Sequence, residues 1–92
     1  MTEEDFRAAV AAKGYGEPIE KIRQAGLFND SHAHEFSLFL YITEGMMTLD
    51  VDGPKGFEIK VCRPSETIEI SAEVLHTEGV GDDGVTYLVA RK

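Results

Sequence analysis

Histidine is the residue type in this 92-residue sequence with the clearest capacity for chemistry, and there are only three. His32 and His34 are two apart. On an extended strand, alternate side chains leave from one face about 7 Å apart at Cα, so these two imidazoles can lean together. Imidazole nitrogens bind divalent transition metals at ~2.0–2.1 Å. His76 lies far along the chain on another predicted strand, and can close a three-nitrogen site if the two strands pack together. By itself the His-x-His spacing is a weak motif that better fits a surface or hydrogen-bonded pair. Glu78, two residues beyond His76, shares that histidine's face. It is the candidate catalytic group, able to bind a metal, orient a ligand or move a proton. The same position also suits a carboxylate at a rim exposed to water. Glu35 and Glu73 have the opposite parity to their neighbouring histidines and are expected to face outward.

The elements that must position these groups are mostly strands. A helix is predicted only at the start, over residues 3–13. Thr2 and Asp5 form a capping-box pattern, Ala8, Ala9, Ala11 and Ala12 favour helix, and Gly14 supplies the stop. Phe6 and Val10 share one face of it. Beyond Gly14, glycines punctuate short stretches rich in Val, Ile, Thr, Phe and Tyr, which is the texture of an all-β barrel or sandwich. His32, His34, Phe36, Leu38, Leu40 and Ile42 share one parity, and Phe39 and Tyr41 the other. Such a doubly apolar strand is covered on its second face by either a partner copy or the N-terminal helix. Met47, Leu49 and Val51 alternate ahead of an Asp52-Gly53 hairpin signal. Phe57, Ile59 and Val61 are expected to point inward, which puts Cys62 on the outer face as a small hydrophobe. Val74, His76, Glu78 and Val80 share a face, Gly81 to Gly84 is read as a turn, and Val85, Tyr87 and Val89 form the last alternating strand. The expected organisation is a helix over residues 1–14 docked on one barrel domain over 15–92.

Composition narrows the function classes. A net charge of -8 repels both a phosphate backbone and an anionic membrane, so neither nucleic acid nor membrane is expected as a partner. A single cysteine forms no internal disulfide and fits a reducing compartment. The acidic N-terminus does not look like a signal peptide, and the apolar run Leu38 to Ile42 is far short of a membrane span. A cytoplasmic location is the expectation.

The segment His32-Ala-His34-Glu-Phe-Ser-Leu38 through Gly45 resembles the first motif of the cupin superfamily: His-x-His, three residues, Glu, six residues, Gly. The Glu position falls on Leu38. The family's second motif, Pro-x-Gly-x-x-His, aligns with Ser71 to His76, keeping only the final histidine. Pro64-Ser65-Glu66-Thr67 resembles the turn that precedes that strand in many cupins. The resemblance covers about residues 18–90, and all three histidines fall on the family's histidine ligand positions. It implies an all-β, cupin-type jelly-roll barrel of antiparallel strands with a short N-terminal helix, and a homodimer. It also implies a metal site made by His32, His34 and His76, for iron, nickel, zinc, copper, cobalt or manganese.

Without the motif carboxylate, three neutral ligands leave a locally cationic centre that favours water, hydroxide or an anionic substrate. Phe36, Leu38, Leu40 and Met47 are expected to wall a substrate pocket, with Tyr87 lining it or closing the core. Some three-histidine cupins are dioxygenases, so the resemblance implies a metal-dependent oxidoreductase acting on a small metabolite. The alternative is a non-catalytic module that holds a metal or small ligand for sensing.

Overall fold

The computed structural model describes residues 1–92. Helix α1 spans Glu3–Ala12 and is followed by six strands: β1 Ile19–Arg23, β2 Phe28–His32, β3 Leu38–Gly53, β4 Gly56–Cys62, β5 Thr67–Ile70 and β6 His76–Arg91. All pairings are antiparallel.

Two sixteen-residue strands, β3 and β6, organise everything else. They pair along their whole length, with irregular register around Glu44 to Met47. On one side of that irregularity the order is β1-β6-β3-β5, and on the other it is β2-β6-β3-β4. One continuous pair of strands thus contributes to both layers of an antiparallel jelly roll. The bend needs a residue with a left-handed backbone and no side chain. Gly45 has φ +77°, and a Cβ there would collide with the Gly84 carbonyl. The expected turn at Gly81 to Gly84 is therefore not a chain reversal. These residues belong to β6, where it bulges opposite Gly45 and Met47.

The inner faces of the two layers meet in one core, which includes Leu40, Ile42, Met47, Leu49, Ile68 and Val85. A second core lies on the outside of the β1-β6-β3-β5 layer, under α1. There Phe6 and Val10 pack on Phe39, Tyr41, Leu88 and Ala90. The helix, not a second copy of the chain, covers the Phe39–Tyr41 face. Its capping box is formed: Thr2 Oγ1 accepts from the Asp5 amide at 3.1 Å, and Asp5 accepts in return from the Thr2 amide at 3.3 Å. Its C-terminal end is fastened to β5. Glu69 accepts from Lys13 at 2.6 Å and from the Tyr15 hydroxyl at 3.0 Å. Burial and that carboxylate push the Tyr15 hydroxyl up to about 12.

Strand β4 is inverted relative to expectation. Phe57 and Ile59 are 52% and 72% exposed, Val61 is also exposed, and Cys62 is buried. The register explains it. Met47 pairs with Cys62 and Leu49 with Lys60, so the inward parity of β3 selects Cys62 and leaves Phe57, Ile59 and Val61 outside.

Candidate metal centre

The expected continuous strand from His32 to Ile42 is broken. β2 ends at His32, residues 33–37 are irregular, and β3 begins at Leu38. The three histidines are nonetheless brought together. His32 and His76 are direct register partners across β2 and β6, with ring centroids 4.4 Å apart. His34, just past the end of β2, lies 5.0 Å from His32 and 5.4 Å from His76 by the same measure. One ring nitrogen from each falls within 4.8 Å of the others.

Hydrogen bonds fix which nitrogen faces inward for two of them. His76 Nδ1 donates to the Val74 carbonyl at 3.0 Å, and His32 Nδ1 donates to the Asp30 carbonyl at 2.7 Å. A carbonyl only accepts, so Nδ1 carries the proton and the neutral ring leaves its Nε2 lone pair free. Backbone carbonyls orient metal-binding histidines in this way. The Nε2 of His76 is buried with no hydrogen-bond partner, and the residue is 0% exposed. A buried acceptor left unpaired costs about 1–3 kcal/mol. A cation bound among the three rings would satisfy it, so the donor set fits a divalent transition metal.

His34 is less buried and packs flat on Phe36, centroids 4.9 Å apart at 17°. Its imidazole is held below the ordinary value, first by burial and then by the other two histidines, with Glu78 opposing. Neutral imidazole is the form that binds metal.

Glu78 turns to the same cavity and is 15% exposed. Its Oε1 is 3.7 Å from His76 Nε2, and its Oε2 accepts from Asn29 Nδ2 at 3.0 Å. Asn29 was not legible as a site residue; its register partnership with Glu78 across β2 and β6 is what brings it in. Glu35 and Glu73 face solvent. The Asn29 bond holds the carboxylate at a fixed distance from the triad. Asn29 orients Glu78 and none of the three histidines, so Asn29→Ala should leave metal affinity within about tenfold of the natural chain's. Competition against a coloured chelator measures it, and a greater loss would show that Glu78 is itself a ligand.

The cavity has a volume of about 660 Å³, within the ~300–1,000 Å³ common for small-ligand sites. Phe36, Leu38, Leu40 and Tyr87 line it together with His32 and His34. Met47 does not. It follows the Gly45 bulge, pairs with Cys62 and Val80, and is sealed in the core at 1% exposure. Leu38, at the family's carboxylate position, is buried, and the nearby carboxylate comes from Glu78 on β6 instead. Burial pushes the Tyr87 hydroxyl up, partly offset by the Arg23 charge beside it. Sequence reasoning also missed Lys21, Arg23 and Arg91 on the cavity wall. The alternation Ile19, Lys21, Arg23 was the available signal.

No family model and no curated protein matches the chain. Solved structures do. Oxalate decarboxylase from Bacillus subtilis superposes with a TM-score of 0.73 at 14% identity, over 82% of this chain and 20% of that one. A further structure of the same decarboxylase, devoted to its Mn(II) centres, gives the same values. Drosophila melanogaster CENP-C, bound to CAL1, superposes with a TM-score of 0.70 at 14% identity, over 79% of this chain and 59% of that one. The chain thus spans a fifth of the decarboxylase and less than two thirds of CENP-C. These likenesses establish the fold as a cupin-type jelly roll with one short N-terminal helix. No helix is long and apolar enough to cross a membrane.

Proposed function

We propose that the protein is a small single-domain cupin that binds one divalent transition metal through His32, His34 and His76, and uses it in a dioxygenase-like reaction on a small metabolite. The observation that carries the reading is the fully buried, unpartnered Nε2 of His76 beside two further imidazoles. The Mn(II) centres of the decarboxylase with the same fold support a divalent ion at this kind of site. When bound, the ion supplies a Lewis-acidic and, depending on its identity, redox-active centre with positions open to ligand.

The chain's own residues do the rest. The Val74 and Asp30 carbonyls hold two imidazoles in the binding tautomer. Glu78 Oε1 stands where it can take a proton from a ligand beside His76 and return it, while Asn29 fixes its other oxygen. Phe36, Leu38 and Leu40 exclude water and present apolar surface to a substrate. Tyr87, its hydroxyl kept protonated by burial, is available as a donor.

Metal analysis and titration of the purified protein test the reading. One ion per chain is expected, with apparent affinity falling as pH drops through ~6.5, because a proton and the ion compete for the same nitrogen. His34, held low, stays available below the pH at which an ordinary imidazole is charged. Substoichiometric metal with no dependence on pH would overturn the metal site. Oxygen uptake by the iron-loaded protein with a panel of thiols, diketones and small acids tests the reaction. Retained metal with silence across that panel would instead mark a non-catalytic module that holds a metal or ligand.

A further inference from the structure

Strand β1 is built against the usual amphipathic rule. Lys21 pairs with Tyr87 and Arg23 with Val85, both of which belong to the inner core, so the two cations face the cavity. Ile22, between them, points out and is 69% exposed. Arg91, at the end of β6, joins them on the cavity wall, its guanidinium 4.8 Å from the Phe36 ring centroid. Three of the nine lysines and arginines of a chain with seventeen acidic residues therefore line one cavity.

None of the three makes an ion pair, whereas Arg7 and Lys13 do. The two carboxylates on the same wall are engaged elsewhere. Glu17 meets Arg7 at 3.5 Å, and Glu78 accepts from Asn29 at 3.0 Å. Asn29 is neutral, so Glu78 keeps its charge, and three cations against that one carboxylate leave the wall net positive on an acidic protein, next to apolar walls. Guanidinium groups bind carboxylates through paired, charge-assisted hydrogen bonds. An inorganic anion would leave the Phe36 and Leu40 surfaces without a partner.

We propose that this cavity takes a small organic acid, its carboxylate held by the neighbouring Lys21 and Arg23 and its apolar body lying against Phe36 and Leu40. The inference deepens the reading of this cavity as the working site, but its cationic groups are separate from the three histidines.

Calorimetric titration of the zinc-loaded and the metal-free full chain with 3-phenylpropanoate, its uncharged amide and inorganic phosphate tests the proposal. The acid should bind at least about tenfold tighter than the amide, and more weakly in high salt. K21Q/R23Q should lose that preference while its affinity for the amide is unchanged, which shows that the cavity is intact. Equal binding of acid and amide while one zinc per chain is retained would overturn the acid site and leave the metal reading standing. Phosphate binding as tightly as the acid would also overturn it. A preference for the acid in protein that binds no metal would support the acid site and sink the metal reading.

Discussion

His76→Ala is expected to abolish stoichiometric metal binding. His76 is the one fully buried member of the triad, and its ring is anchored from behind by the Val74 carbonyl. No neighbouring histidine exists to take its place, since all three in the sequence are already in the cluster. Loss of an orienting partner typically costs ~10–100-fold in metal affinity, and loss of one of three ligands should exceed that. A second readout follows from linkage. An ion that binds only the folded state stabilises it by ~2.7 kcal/mol when present at 100 times its Kd. That thermal shift should be seen in the natural chain and be absent in the variant. The metal-free variant should itself be less stable, because the alanine leaves a cavity and an unpaired Val74 carbonyl, so the readout is the shift on adding metal to each protein. A variant that keeps one ion per chain with affinity within about tenfold would show that the ion is held elsewhere.

Phe6→Ala should destabilise the whole domain although it lies outside the metal centre. The Phe6 side chain is fully buried, 4.8 Å from the Phe39 ring centroid and 5.4 Å from that of Tyr41. Truncating a buried phenylalanine costs ~3–5 kcal/mol, against total stabilities of ~5–15 kcal/mol for domains. At ~4–8 °C per kcal/mol for a domain of this size, Tm should fall by more than about 10 °C. The helix holds the sheet through few large side chains, so the loss is not shared among many contacts. Thermal unfolding followed by circular dichroism measures it. A fall of under ~3 °C would show that α1 is an appendage whose detachment leaves the barrel intact.

The histidines were legible because period-two spacing survives a local break. His32 and His34 are separated by the end of a strand, yet their rings remain neighbours. Glu78 was legible from its parity with His76, and α1 from its capping residues and glycine stop. What alternation cannot supply is which parity faces inward. On β4 the apolar parity, Phe57, Ile59 and Val61, was the natural choice for the core, and the pairing of Met47 with Cys62 reverses it. On β1 the same ambiguity hid Lys21 and Arg23, since cations are ordinarily assigned to solvent. Met47 failed as a pocket residue for a different reason. Its parity carries across the Gly45 bulge, but its position along the barrel does not. The Gly81 to Gly84 segment has turn composition, and only its pairing with β3 on both sides shows that the chain continues.

Strand β6 has one further consequence, in the order of events as the chain is made. It is the only partner of β1 and of β2, and it pairs along the full length of β3. It is also the last strand in sequence. While it is still being synthesised, β1 and β2 have nothing to pair with, and folds dominated by such distant pairings form slowly. An ion that meets the growing chain finds only the His32–His34 pair, without the third nitrogen. The triad needs only the first residue of β6, whereas β1 pairs with residues 85–89 near its end, so the metal site can close before the two-layer fold is complete.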